Sequence, residues 1–212
     1  MDFEVARARL IESLSTEIRD ERVLAAMSRI PRECFIPSGE RHLAYEDAPL
    51  PIGFDQTISQ PYIIALMTEA LELTGNEKVL EVGTGSGYQA AILAELTRLV
   101  VTTERVPVLA ETAKKVLDSL GYTNVKVYPA GETLGWPSEA PYDAIIVTAG
   151  APRVPADLLA QLAFGGRMVI PVGSQYVQEL FKITRRRRKS IVQNLGGCRF
   201  VSLIGKDAWG EE

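Results

Sequence analysis

Apolar positions recur along this chain with two periods, and the switch between them divides it. Over residues 3–16, Val5, Leu10, Ile11 and Leu14 gather near one face of a helix. Asp20 is a ready cap for a second helix over 21–29, which Pro31 ends because proline cannot continue the hydrogen-bond ladder. Residues 31–54, rich in proline and aromatics, hold no strong period and read as a wrapping loop with a short helix near 40–45. An apolar helix follows over 62–71. Beyond it, β-rich runs at 78–82, 99–103, 125–128, 144–148 and 167–171 alternate with helical patterns at 88–96, 107–120 and 155–162. Alternation on this scale predicts a parallel sheet covered on both faces. The runs 178–185 and 190–203 lie too close for a helical crossover and should pair as a hairpin. The expected class is α/β: a doubly wound, mostly parallel sheet with a C-terminal antiparallel hairpin and an N-terminal helical extension. Residues 1–212 form one expected domain, with 1–60 as an extension covering the site and 61–212 as a Rossmann-like core.

The chemistry concentrates where the first strand of that core ends. Val79-Leu80-Glu81-Val82-Gly83-Thr84-Gly85-Ser86-Gly87-Tyr88 carries an acid into a three-glycine turn that opens a helix. Glycines let a backbone approach a nucleotide cofactor, and a helix N-terminus then faces it. The spacing G-x-G-x-G puts Tyr88 where the third dinucleotide glycine would stand. Glu81 is a poor neighbour for a pyrophosphate and suits a ligand carrying an ammonium and a sulfonium, which points to S-adenosyl-L-methionine. Glu104 closes the next strand and is placed to accept hydrogen bonds from ribose hydroxyls. A tight strand–helix connection is the plain alternative; Glu81, the turn and Glu104 together outweigh it.

Composition narrows the field. The 212 residues carry 23 Lys plus Arg and 27 Asp plus Glu, a net charge of −4, so nothing global draws the chain to nucleic acid or anionic membrane. No stretch approaches the roughly 18 apolar residues of a membrane span, and the first residues lack a secretory signal core. Cys34 and Cys198 are isolated and read as reduced, packed thiols of a cytoplasmic protein. His42 is the single histidine, which excludes a histidine-rich metal site, and no metal is expected. The cations of residues 185–189 fall at the predicted hairpin turn and read as a solvated tip.

Gly53-Phe54-Asp55-Gln56-Thr57-Ile58-Ser59-Gln60-Pro61 leads into the apolar helix, with Ser59 or Gln60 at the cap and Pro61 at the first position. From these residues alone Ser59 is a helix cap. Along nearly its whole length, however, the chain resembles the protein-L-isoaspartate O-methyltransferases. The likeness is carried by RECFIP (32–37), AYED (44–47), PLPIGFDQTISQP (49–61), residues 79–94, LGWP (134–137), APYDAIIVTA (140–149), GGRMVIPVG (165–173) and RFV (199–201). The glycine turn is common to many methyltransferases; the T-I-S segment and the P-Y-D-A-I-I-V-T-A strand are far more specific.

The resemblance implies a class I S-adenosyl-L-methionine-dependent methyltransferase that leaves S-adenosyl-L-homocysteine. Its acceptor is the free α-carboxylate of L-isoaspartyl residues in damaged proteins, and the ester then collapses unaided to a succinimide that partly reopens to aspartate. Ser59 becomes the candidate catalytic residue, orienting that carboxylate beside the backbone near Ile58. Gln56 and Thr57 would close over the cofactor, and Gly83, Thr84, Gly85 and Ser86 would run along its methionine portion. Glu81 would favour the ammonium, and Glu104 with Arg105 would hold the ribose. The family's Gly-Asp-Gly before the T-L-G-W run is Ala130-Gly131-Glu132 here, so Gly131 stands at the adenine-facing position and Glu132 is the substitute. Asp55 replaces a glycine common in bacterial members. A monomer is expected, with no stable nucleic-acid or membrane partner. Transfer to RNA or another carboxylate, and a non-catalytic cofactor-binding module, are the alternatives these departures leave open.

Overall fold

Asp2 and Asp20 start the first two helices. In the computed structural model, which describes residues 2–210, α1 (Phe3–Leu14) begins where Asp2 accepts from the Glu4 and Val5 N–H groups at 3.0 and 3.2 Å. α2 (Glu21–Arg29) begins where Asp20 accepts from the Arg22 N–H at 3.0 Å. α1 stops two residues short of its hydrophobic pattern, because the Ser15 and Thr16 hydroxyls fold back onto the Glu12 and Ser13 carbonyls. Residues 31–54 are more ordered than a wrapping loop. They hold 3-10 turns at Arg32–Phe35 and Arg41–Leu43 and end in β1 (Leu50–Gly53), which pairs antiparallel with β2 (Gln56–Ile58). The hairpin is invisible to periodicity because its strands have four and three residues. Phe54 and Asp55 turn it at φ +55° and +56°, the left-handed pair that a two-residue turn requires and that glycine adopts most readily. That geometry suits a glycine; Asp55 adopts it with its carboxylate exposed.

α3 (Pro61–Ala70) leads into β3 (Lys78–Val82), α4 (Tyr88–Leu96), β4 (Leu99–Glu104), α5 (Pro107–Ser119), β5 (Val125–Pro129) and β6 (Tyr142–Val147). α6 (Ala156–Gln161), β7 (Leu162–Gly173), β8 (Gln178–Thr184) and β9 (Ile191–Cys198) complete the chain. The seven-stranded sheet runs β5-β4-β3-β6-β7-β8-β9, parallel through β7, with β8 antiparallel to both of its neighbours. From β3 the chain builds outward to β5, then crosses back to lay β6 on the other side of β3. That reversal opens a crevice at the C-terminal end of β3, where ligands bind in such sheets. Parallel register sets Val82 beside Thr103, so the glycine turn and Glu104 emerge together. Apolar residues cover both faces. Met27, Ile64 and Ile92 belong to one buried cluster, and Leu80, Ile145 and Met168 to the other.

Four local expectations change. β7 starts at Leu162 rather than 167, and its register to β6 shifts between Tyr142 and Ala144. The run 190–203 splits: β9 ends at Cys198, and the Val201 carbonyl and Leu203 N–H pair instead with Gly150. Cys34 is exposed on its 3-10 turn and Cys198 is half-buried, so only the latter is a packed thiol. Arg186 to Lys189 do form an exposed tip, but Arg185 turns inward. It donates to the Ala160 carbonyl at 3.0 Å and to that of Leu162, with its guanidinium 4.6 Å from the Phe164 ring centre.

Candidate active site

The crevice holds a cavity of about 650 Å³. One wall is the turn after β3, where Gly83, Thr84, Gly85 and Ser86 all face the space. Gly83 sits at φ +100°, and an added Cβ would lie 2.3 Å from the Thr148 hydroxyl, which donates to the Gly83 carbonyl at 2.7 Å. This glycine answers to close packing against β6 as well as to any ligand. The turn's own amides are largely engaged. Gly83 and Thr84 donate to the Thr103 carbonyl, Gly87 to Thr84, Gly85 to the Glu104 carboxylate and Tyr88 to the Ser86 hydroxyl. A pyrophosphate would need such donors free, so the geometry reinforces the choice against a dinucleotide.

Glu104 and Arg105 continue this wall. The Glu104 carboxylate accepts from the N–H groups of Gly85 and Val106, each at 2.8 Å, and is thereby fixed at the cavity edge. Glu81 behaves differently. It is fully buried, is absent from the cavity lining, and accepts from the Thr102 hydroxyl, which lies 2.7 Å from the Thr84 hydroxyl. Glu81, expected to favour an ammonium directly or through water, is a carboxyl beneath the turn that reaches the cavity through Thr102 and Thr84. The cause is depth: Glu81 sits two residues back from the turn, paired with Thr102, and the Thr102 and Thr84 side chains stand between it and the cavity. Burial pushes the Glu81 carboxyl up to about 8; the Thr102 hydrogen bond opposes this and the Glu104 charge adds to it. Its Oε1 has no hydrogen-bond partner.

Gln56, Thr57, Ile58 and Ser59 form the facing wall, with Ile58 buried and Ser59 half-buried. The Ser59 hydroxyl does not cap α3, and neither does the Gln60 side chain. Asp47 performs that task from 15 residues upstream, accepting from the Tyr62 N–H at 2.8 Å and from the Gln60 amide at 2.9 Å. Ser59 is thus released from the structural duty its sequence position suggested. Gly131 and Glu132 line a third side, both exposed. A fourth side joins Thr148 to residues 201–205 and Trp209, whose indole N–H donates to the Gly150 carbonyl at 3.1 Å. Trp209 both anchors the tail and lines the cavity. Trp136 instead stacks on Tyr128 at 4.2 Å and stands outside it.

Of the thirteen residues picked from the sequence, the structure brings all but Glu81 to one cavity. Sequence reasoning missed Gln89, Thr148 and the 201–205 segment, which reach the site through sheet topology. It also missed Arg32, a fully buried guanidinium that donates to the carbonyls of Ala44 at 2.9 Å and Ser59 at 3.0 Å. Only an arginine between Ile30 and the apolar Phe35-Ile36 pair hinted at it.

Known proteins resemble this chain in sequence and fold. Residues 6–208 match the family described as protein-L-isoaspartate(D-aspartate) O-methyltransferase. A Geobacter metallireducens protein-L-isoaspartate O-methyltransferase is 54% identical, with 100% of both chains covered. One from Syntrophobacter fumaroxidans is 54% identical over 99% of each chain. Among solved structures, a protein-L-isoaspartate O-methyltransferase superposes with a TM-score of 0.84 at 31% identity, covering 95% of this chain and 67% of that one. A Plasmodium falciparum structure with the same enzyme name, in complex with S-adenosyl-L-homocysteine, gives 0.81 at 26% identity, covering 94% and 99%. With the match spanning both walls of the cavity and nearly every element of the sheet, the chain belongs to the protein-L-isoaspartate(D-aspartate) O-methyltransferase family.

Proposed function

We propose that this chain moves a methyl group from S-adenosyl-L-methionine to the free α-carboxylate of L-isoaspartyl residues in damaged proteins and peptides. The observation that carries the reading is a single cavity in which Ser59, relieved of capping, faces the glycine turn and Glu104. The donor set fits the cofactor. About 650 Å³ lies within the range of small-molecule sites. Glu104 offers a fixed acceptor for ribose hydroxyls, with Arg105 beside it, and Gly83 to Ser86 border the methionine portion. Gly131 and Glu132 stand at the adenine end. Glu81 lies beneath, tied to the turn through the Thr102 and Thr84 hydroxyls. Bound there, the cofactor supplies a methyl group activated by the adjoining sulfonium.

What the protein adds is alignment. An α-carboxylate, with a pKa near 4, is already ionised at neutral pH and needs no base; the departing thioether needs no proton. Ser59 donates its hydroxyl to one carboxylate oxygen, leaving the other free to attack in line. Backbone N–H groups near Ile58 assist, Gln56 and Thr57 close over the pair, and Trp209 with residues 201–205 limits water. The methyl ester then leaves and cyclises unaided, the neighbouring backbone nitrogen displacing methanol to give a succinimide, part of which water reopens to aspartate. We place the protein in the cytoplasm as a monomer, its two free thiols reduced, with no metal and no stable nucleic-acid partner.

Transfer of labelled methyl to a short L-isoaspartyl peptide, with the normal aspartyl peptide as control, tests the reading. Base-labile label on the first peptide alone is the expected result. Cofactor binding without transfer to either would overturn the acceptor assignment.

A further inference from the structure

Arg32 is the bulkiest fully buried side chain described, with no exposed surface. Its Nε and Nη2 serve the Ala44 and Ser59 carbonyls, its Nη1 has no hydrogen-bond partner, and its guanidinium lies 4.9 Å from the Tyr88 ring centre. Among the described residues it makes no ion pair. Asp47, the acid whose charge bears on it, spends both carboxylate oxygens on Tyr62 and Gln60. A buried charge without a counterion is costly to keep. Two carbonyl hydrogen bonds need only a neutral donor, so the charge is surplus to them. What lies beyond its two contacts is the cavity: Ser59 and Tyr88 both line it.

We infer that Arg32 is a positioning residue for the methyl acceptor with two separable actions. Its planar fork holds the Ser59 carbonyl against that of Ala44 and so sets where the Ser59 segment lies. Its unpaired charge, behind the wall of Ser59 and Tyr88, favours an anionic acceptor over a neutral one of the same shape. The inference rests on the carboxylate methylation proposed above. Transfer of the methyl cancels the acceptor's negative charge, so the field of Arg32 acts on capture more than on the chemical step. Loss of the charge therefore raises KM for the peptide, whereas loss of the fork lowers kcat.

The test uses the full chain and two peptides, one with L-isoaspartate and one with its α-carboxylate replaced by carboxamide. Affinities for both are measured with S-adenosyl-L-homocysteine bound, beside the steady-state transfer assay. In the unaltered protein the anionic peptide binds more tightly. Arg32→Met is expected to cut that preference about tenfold, the order expected of one charge acting through the wall. Arg32→Lys keeps the charge and loses the fork: the preference stays, and kcat falls on the order of tenfold. A preference unchanged in Arg32→Met, with S-adenosyl-L-homocysteine affinity intact, would reduce Arg32 to packing. Should Arg32→Met not fold, Arg32→Lys decides alone, because a lost preference or an unchanged kcat overturns one action or the other. Failure of the unaltered protein to methylate the isoaspartyl peptide would count against the reaction, and the two binding ratios would still judge the charge.

Discussion

The wall carrying the glycine turn and Glu104 comes from adjacent strands and is held by its own backbone together with side chains at neighbouring strand ends, Thr102, Glu104 and Thr148. The wall carrying Ser59 is held by side chains reaching across 12, 15 and 27 residues of sequence, from Arg32 to Ala44, Asp47 to Tyr62 and Arg32 to Ser59. A wall built at neighbouring strand ends fails sharply at the few positions whose geometry it cannot replace, Gly83 and Glu104 among them. A wall held by side chains is adjusted by changing those side chains, without disturbing the sheet. The two walls should therefore respond to mutation independently, the first in cofactor affinity and the second in use of the acceptor.

That contrast can be broken at several points. Glu104→Ala removes the carboxylate that fixes two N–H groups and faces the cavity; S-adenosyl-L-homocysteine affinity measured by calorimetry should fall a hundredfold or more, about 3 kcal/mol. Retained affinity would remove Glu104 from the ribose. Gly83→Ala drives a Cβ toward the Thr148 hydroxyl in a left-handed conformation. A loss of about 2–3 kcal/mol in urea unfolding is expected, and near-neutral stability would mean that Thr148 yields. Ser59→Ala should lower kcat/KM for the isoaspartyl peptide tenfold to a hundredfold, about 1–3 kcal/mol. Its affinity for S-adenosyl-L-homocysteine should change less than twofold; a parallel loss in both would show that the walls are coupled.

Glu81 sharpens the comparison through pH. Its carboxyl is raised from 4.5 to about 8 on folding, so the folded chain holds a proton that the unfolded chain has released between those values. Its contribution to stability is full below pH 4.5 and is lost as pH rises through 8. Glu81→Gln, which mimics the protonated acid, should flatten the fall in unfolding free energy across this window, a slope of at most about 1.4 kcal/mol per pH unit. Identical profiles for the two proteins would show Glu81 to be ionised when folded. The smallest effect belongs to Asp47→Ala, which uncaps α3 at a cost of about 1 kcal/mol and should touch acceptor KM before cofactor affinity. The reverse order would place Asp47 on the wrong side of the comparison.

Much of this protein is written in short windows of sequence. The strand–turn–helix unit from Val79 to Leu96, the acid ending β4 and the alternation that builds the parallel sheet are local patterns, because backbone conformation and cofactor approach depend on neighbours within a few residues. The class of cofactor followed from them; the family, and with it the roles of Gln56 to Ser59, Arg105, Gly131 and Glu132, came from the resemblance of longer segments. Tertiary structure alone decided the rest. The Thr102 and Thr84 side chains set Glu81 beneath the site, although its place beside the glycines left contact open. Asp47 took over the cap of α3 and freed Ser59. The tail at 201–205 left β9 for Gly150 and closed the cavity with Trp209. Arg32 reached Ser59 from a segment with no readable period. Hydrogen-bond partners far apart along the chain are chosen by how layers pack, and no local pattern encodes that distance.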